Sequence, residues 1–352
     1  MLLDEFFTRV QAKKASDLHC GEGYKPFLRI NGELVEQKDF RVLSKKDVEE
    51  IAAQAVPKEF AKRFGQKSDI DFALNHGDDA RFRAHIYYAQ KCLNFAFRLL
   101  PRKIPSCNEL GIPESLIDYV LQQSEGLFIV TGPTGSGKST TIAALIDLFN
   151  QQKNLHIITI EDPVEYTFVN KQSLIKQREV GREDGDVKTF AGALRSALRE
   201  DPDIIFVGEM RDQETMRLAL RAAETGHLVF STLHTGFAWQ IPLRIVNAFP
   251  ASQSEQIRNQ LIYAFRGAIA QRLLARKGGG GRIAAFEILL TNDAVRNLIK
   301  ENKLQGVRDV MKSSKNADIF RNGIFESTSP DVLEMILLEE SIDKLRTQGI
   351  ID

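Results

Sequence analysis

Apolar positions at the start of the chain recur at helical spacing. Over residues 2–15, Leu3, Phe6, Phe7 and Val10 fall on one face, the stripe of an amphipathic helix. Two short strand-like runs follow, at 26–30 and 33–36, separated by Asn31-Gly32, a dipeptide suited to a tight hairpin turn. A second helix is predicted from a Ser44 cap through Ala55, stopping near Pro57. Residues 69–74 and 80–99 read as further strands. Within them, RFRAHIYY (81–88) alternates so that Arg81, Arg83, His85 and Tyr87 share a face, and LNFAFRL (93–99) sets Asn94, Ala96 and Arg98 opposite Phe95 and Phe97.

The segment 99–113, LLPRKIPSCNELGIP, is rich in proline and reads as a linker. From about residue 114 the pattern changes to short apolar strands, at 127–130, 155–160, 204–207 and 228–232, alternating with amphipathic helices. That alternation predicts an α/β fold with an open, mostly parallel sheet. The glycine run 278–281 reads as a hairpin loop. The chain therefore divides into residues 1–98, a linker at 99–113, and a larger domain at 114–352.

Composition narrows the class of partners. Lysine plus arginine and aspartate plus glutamate number 47 each, a formal net charge of zero. Such a balance gives no whole-molecule attraction to nucleic acid or an anionic bilayer. The three cysteines, Cys20, Cys92 and Cys107, are far apart and fit no metal-ligand spacing. The N-terminus has no apolar core of signal-peptide length, and no stretch approaches the roughly 18 apolar residues that span a bilayer. A cytoplasmic location is expected.

One motif carries chemistry by itself. GPTGSGKST, Gly132, Pro133, Thr134, Gly135, Ser136, Gly137, Lys138, Ser139 and Thr140, matches G-x-x-x-x-G-K-[ST] in full. A strand precedes it, and Ile142, Leu145, Ile146 and Phe149 mark the apolar face of the helix that follows. The glycines let backbone N–H groups turn onto phosphates, and the helix start adds partial positive charge. Lys138 is expected to reach the β- and γ-phosphates of ATP, and the Ser139 hydroxyl to ligate Mg²⁺.

Later strands end in polar residues, where ligands of a parallel sheet bind. The candidates are Glu161, Asp162 and Glu165; Glu209, followed by Met210-Arg211-Asp212; and His234. Each has a plain alternative: Asp212 is a good helix cap with Gly226 as a stop, and Glu161-Asp162 can cap a turn before Pro163. Beside the phosphate loop, Glu209 is the candidate to orient an attacking water. His227 suits a structural hydrogen bond at a turn, while His234 lies nearer the expected γ-phosphate. In the N-terminal part, a hairpin through 89–92 brings Arg83 near Arg98. Like charges directly opposite are destabilising, so such a pair calls for an anion. Two candidates stand level: a neighbouring subunit's nucleotide phosphate, or local acids such as Asp78 or Asp79.

The ordered set GPTGSGKST, TIEDPVEY, REVG, ALREDPDIIFVGEMRD and TGHLVFSTLHT resembles the type II/IV secretion ATPase superfamily. With ASDLH (15–19) and AVRNLIKE (294–301) it is most similar to the PilT-like retraction ATPases of type IV pili. The resemblance implies a RecA-like P-loop ATPase domain preceded by a smaller PAS-like α+β domain, assembled as a homohexameric ring. It implies an ATP-hydrolysing, Mg²⁺-dependent motor for pilus retraction and twitching motility. The expected partners are an inner-membrane platform protein and a paralogous pilus ATPase, with no nucleic acid. An accessory retraction paralogue, or an assembly or type II secretion ATPase, is the alternative. By matching position, Lys138, Ser139 and Thr140 fall in the Walker A motif, Glu161, Asp162 and Glu165 in the Asp box, and Glu209 in Walker B. His227 and His234 fall in the His box, and Arg81, Arg83 and Arg98 match the arginines from which fingers are drawn. Gly208 stands where many P-loop enzymes have aspartate. The chain departs from the pattern at DGDVKTF (184–190), at TGFAWQIPLR (235–244) and beyond about residue 302.

Overall fold

The computed structural model describes residues 2–30, 32–58, 69–77, 80–100, 103–181, 186–279, 281–313 and 335–352. They fall into two compact units, one comprising Met1–Lys103 with two short later stretches, the other most of the chain from Ile104 onward.

In the first unit, helix α1 (Leu2–Ala12) buries the predicted stripe of Leu3, Phe6, Phe7 and Val10. Strands β1 (Asp17–Gly21), β2 (Phe27–Ile30) and β3 (Glu33–Glu36) precede helix α2 (Lys45–Ala55), and β4 (Ile70–His76), β5 (Ala80–Ala89) and β6 (Cys92–Leu100) follow it. Together the strands form an antiparallel sheet ordered β3-β2-β1-β6-β5-β4. One face of the sheet is apolar and packs on the helices. Phe7 stacks on Phe82 at 3.8 Å between ring centroids and meets Phe97 edge-on at 5.1 Å. The other face carries the arginines, as the alternation of β5 and β6 requires.

The second unit opens with helix α3 (Glu114–Leu121), strand β7 (Gly126–Thr131), helix α4 (Lys138–Gln152) and strands β8 (His156–Glu161) and β9 (Leu174–Glu179). Helix α5 (Phe190–Ala197), strand β10 (Ile204–Val207), helix α6 (Gln213–Glu224) and strand β11 (Leu228–Leu233) continue the alternation. Helices α7 (Ile241–Asn247) and α8 (Ser254–Ala264) lead to a hairpin of β12 (Phe265–Ala275) and β13 (Arg282–Leu290), across which Ala275 pairs with Arg282 beside the glycine run. Helices α9 (Asp293–Lys300), α10 (Val307–Ser313) and α11 (Leu338–Thr347) follow. The sheet is ordered β13-β12-β7-β11-β10-β8-β9, with β13 antiparallel and the other pairings parallel.

Helices on both faces explain the apolar runs read from the sequence. Every residue of β7, β10 and β11 is buried. The ends of the proline-rich segment are also structured. Leu99 and Leu100 belong to β6, while Cys107 and Ile112 are buried in the second unit's core. Of the two departures in 184–244, residues 182–185 lie outside the described residues, and α5 begins after Thr189, whose Oγ1 accepts from Gly192 N at 3.0 Å. Asp78 and Asp79 also lie outside them. Among the described residues, no helix is long and apolar enough to cross a membrane.

Candidate nucleotide site

Four parallel strands, in the order β7-β11-β10-β8, end at one edge of the second unit's sheet. Thr131 lies level with Leu233, and Val207 with both Ser231 and Ile160. The residues that follow therefore emerge side by side: the phosphate loop after β7, His234 after β11, Glu209 after β10, and Glu161-Asp162 at the end of β8. This is the edge at which ligands of parallel sheets bind.

The loop depends on its glycines. Gly132, Gly135 and Gly137 have φ of 143°, 78° and 90°, values that residues with a Cβ rarely adopt. Space matters too, since a Cβ on Gly132 would lie 2.5 Å from the Gln271 carbonyl oxygen. Gln271, on β12, fills the underside of the loop and donates from Nε2 to the Ser136 carbonyl at 2.5 Å. Pro133, Thr134 and Gly135 face solvent, while Ser136 is buried. Lys138 begins α4 and donates from Nζ to the carbonyls of Gly132 at 3.0 Å and Pro133 at 3.1 Å, which holds the ammonium over the loop. Gly137, the N-cap of α4, brings no side-chain oxygen to the first turn. Such a helix start favours negative charge.

Glu209 is the best-placed acid. Its side chain is 14% exposed, 2.6 Å from an Arg211 guanidinium nitrogen and 3.6 Å from His234 Nε2. Glycine precedes it for a steric reason: a Cβ at Gly208 would come within 3.1 Å of the Ile160 carbonyl oxygen and 3.5 Å of the Phe190 ring. The adjacent Thr232 hydroxyl donates to the Gly208 carbonyl at 2.6 Å. Asp212 is the N-cap of α6 and accepts from Thr215 N at 2.8 Å. Asp212 thus caps the helix, as the plain reading of this run has it, while Glu209 stands at the end of β10.

Other candidates separate. Glu161 is buried, and its Oε1 accepts from the Thr159 hydroxyl at 2.7 Å and from Gln177 Nε2 at 3.2 Å, so its own strand and the neighbouring β9 fix its orientation. Asp162 is exposed beside it, and Glu165 lies in the short stretch Pro163–Thr167 that groups with the first unit. His227 precedes β11 and so lies at the opposite edge from the loop. Its Nδ1 is 3.0 Å from the Ala222 carbonyl oxygen, a structural contact.

The donors suit Mg²⁺ better than a metal caged by protein. The Ser139 hydroxyl is an oxygen donor of the kind Mg²⁺ takes, and the described residues hold no group of three or more His, Cys, Asp or Glu placed to bind a metal. Mg²⁺ typically takes one or two protein oxygens and leaves the rest to phosphates and water.

In the first unit, Arg83 lies directly opposite Arg98, as the hairpin predicted. The acids beside the pair come from flanking strands. Asp17 on β1 pairs with Arg98 on β6 and accepts from its Nε at 2.7 Å. Asp71 on β4 lies 3.9 Å from Arg83 and 3.1 Å from His85. Arg29 on β2 is also paired with Asp17 in register, so one row across the sheet reads Arg29, Asp17, Arg98, Arg83. Arg81 follows on the same face.

Sequence reasoning missed two supports of the site. Gln271 had one available signal, a polar residue inside the apolar run AIAQRLL (268–274). Thr131 accepts from Thr235 N and donates to Thr235 O, both at 2.9 Å, which ties the segment after His234 to the base of the phosphate loop. No short-range pattern links two threonines 104 positions apart.

Residues 1–332 match the family model described as type II/IV secretion system protein. The chain is 45% identical over 290 residues to the type IV pilus retraction ATPase PilT of Pseudomonas aeruginosa, covering 82% of this chain and 83% of that one. It is 39% identical over 326 residues to a twitching motility protein of Neisseria gonorrhoeae, covering 93% and 82%. A crystal structure of the pilus retraction motor PilT with bound ADP superposes with a TM-score of 0.86 at 43% identity, over 99% of this chain and 94% of that one. The fold is accordingly a RecA-like P-loop domain preceded by a PAS-like antiparallel-sheet domain. With the phosphate loop and the acids at its edge in place, the chain belongs to the type II/IV secretion system protein family of pilus and secretion ATPases.

Proposed function

We propose that this chain is a motor that hydrolyses ATP to retract type IV pili. The observation that carries the hydrolysis is Glu209 at the strand edge beside the phosphate loop, with His234 3.6 Å away. Likeness to a retraction motor over nearly the whole chain supports the direction of work.

In this reading the backbone N–H groups of the loop and Lys138 bind the β- and γ-phosphates of ATP. Lys138 exchanges the carbonyls of Gly132 and Pro133 for phosphate oxygens. Glu209 orients the attacking water and accepts its proton, and His234 reports whether the γ-phosphate is present. Glu161 holds the neighbouring strand end in place. Ser139 would hold Mg²⁺, which would supply charge neutralisation on the phosphates.

Arg81, Arg83 and Arg98 are the candidates to meet a neighbouring subunit's nucleotide in a homohexameric ring, as arginine fingers acting in trans. Such a ring works in the cytoplasm against an inner-membrane platform protein, with a paralogous pilus ATPase as a further partner. The test is deletion of the gene in its host, with pili counted and retraction filmed. Abundant pili that no longer retract support the proposal. Loss of pili points to assembly, and unchanged pili and retraction remove this chain from retraction.

A further inference from the structure

Helix α11 lies beyond residue 332, where the family match ends. It is nonetheless held closely, and by three consecutive residues of the edge strand β13. Phe286 N donates to Ser341 Oγ at 3.0 Å. Ile288 and Ile336 exchange both backbone hydrogen bonds, at 2.8 and 3.1 Å. Between them, Glu287 is fully buried, and its Oε2 accepts from Leu338 N at 3.2 Å.

The other oxygen of that carboxylate meets the turn that follows His234. Glu287 Oε1 accepts from Ala238 N at 2.6 Å, and Trp239 N also donates to the carboxylate. Ala238–Gln240 is a short 3₁₀ turn leading into α7. It follows Thr235, which is tied to Thr131, and His234, which lies near Glu209.

Helix starts need acceptors for their first N–H groups, and a polar N-cap side chain usually supplies one. Here the N-cap residues of the 3₁₀ turn and of α11 are Phe237 and Leu337, whose side chains cannot accept. One carboxylate, delivered by a strand, caps both. Burial pushes the Glu287 carboxyl above the ordinary range, while its three backbone donors pull it back. Losing one of those donors therefore alters how the carboxylate holds the others.

We propose that Glu287 is a positioning residue that couples α11 to the turn after His234, so that docking of the tail sets the geometry of the segment over the nucleotide site. This rests on the ATPase reading above, and it gives the C-terminal helix a role in turnover.

A single backbone change tests it. Leu338 is the first residue of α11, where proline fits a helix, and Leu337 before it is extended (φ −82°, ψ 151°), the conformation a residue preceding proline prefers. Leu338→Pro in the full chain thus deletes the N–H given to Glu287 and keeps the helix, while Leu338→Ala removes the side chain and keeps the N–H. For Leu338→Pro, kcat for ATP is expected to fall about tenfold with KM within about twofold, and Leu338→Ala to hold kcat within about twofold. Amide hydrogen exchange at Ala238 and Trp239 is expected to rise about fivefold or more in Leu338→Pro and in the isosteric Glu287→Gln.

Unchanged exchange at Ala238 and Trp239 in Leu338→Pro overturns the coupling. Raised exchange with kcat equal to that of Leu338→Ala overturns the positioning role. If the unaltered chain binds ATP without turning it over, the ATPase reading fails instead, and the exchange comparison still judges the coupling.

Discussion

The two sheets of this protein carry their polar residues in opposite ways. The second unit's sheet is covered by helices on both faces, so its central strands are apolar throughout and polar side chains gather where strands end. The first unit's antiparallel sheet has one helix-covered face and one polar face, so charged residues sit along the strands themselves, in a row from Arg29 through Asp17 and Arg98 to Arg83. A strand-end site is assembled from short contiguous motifs. A row on a sheet face is assembled from register, and each neighbour comes from a different part of the chain.

Loss of nucleotide chemistry should be largest where the strand-end site holds phosphate. Lys138→Ala is expected to abolish ATP turnover, measured by phosphate release, together with nucleotide binding. Normal turnover in that variant removes the loop from the site and ends the contrast between the two sheets. Glu209→Gln keeps the side chain's shape and removes its negative charge. It is expected to bind ATP with affinity within a few-fold of the unaltered chain while kcat falls by about 10²–10⁴, the range associated with general-base groups. Full turnover would refute the role given to Glu209.

In the first unit the expected effect is on stability. Asp17→Asn leaves the shape of the row but removes the negative charge between Arg29 and Arg98, with Arg98 and Arg83 still directly opposite. The mostly buried Asp17 carboxylate accepts a hydrogen bond from the Arg98 guanidinium. Loss of its charge is expected to cost about 1–3 kcal/mol, read by denaturant unfolding. Adding Arg83→Ala should return part of that loss, because the like-charge pair is then gone. A double variant no more stable than Asp17→Asn would show that the register pairing carries no repulsion.

The same contrast explains what was legible in the sequence. Strands buried on both faces announced themselves as apolar runs, and the phosphate loop, Glu209 and His234 followed them directly. The hairpin of β5 and β6 was legible because its partners are adjacent in the chain, so the meeting of Arg83 and Arg98 could be read. Asp17 could not, since it reaches Arg98 across 81 positions through the β1–β6 pairing. Asp71 is closer in the chain, but its place beside Arg83 and His85 depends on the β4–β5 register, which was not read from the sequence. Strand β9, LIKQRE, escaped because an edge strand needs little apolar content. Gln271 and Glu287 lie on the β12–β13 hairpin, where a polar residue within an otherwise apolar stretch gives no hint of which backbone group it meets.

The smallest effect tests local structure in the half-exposed unit. Ser44 caps α2, with Asp47 N donating to Ser44 Oγ at 3.4 Å and Ser44 N donating to the Asp47 carboxylate at 2.7 Å. The Ser44 hydroxyl and the Arg41 guanidinium also bind that carboxylate and hold Asp47 down at a pKa of about 2. A carboxylate whose folded pKa is depressed adds stability that is present above its ordinary value, near 3.8, and is lost as pH falls through about 2. Ser44→Ala is therefore expected to cost about 1 kcal/mol at neutral pH, seen as faster amide exchange in α2. The penalty should shrink as pH falls from about 4 towards 2, because protonation then removes the same interaction from the unaltered chain. A penalty that stays constant across that window would mean that the Ser44 hydroxyl acts on the helix alone, and that Asp47 owes its low pKa to Arg41.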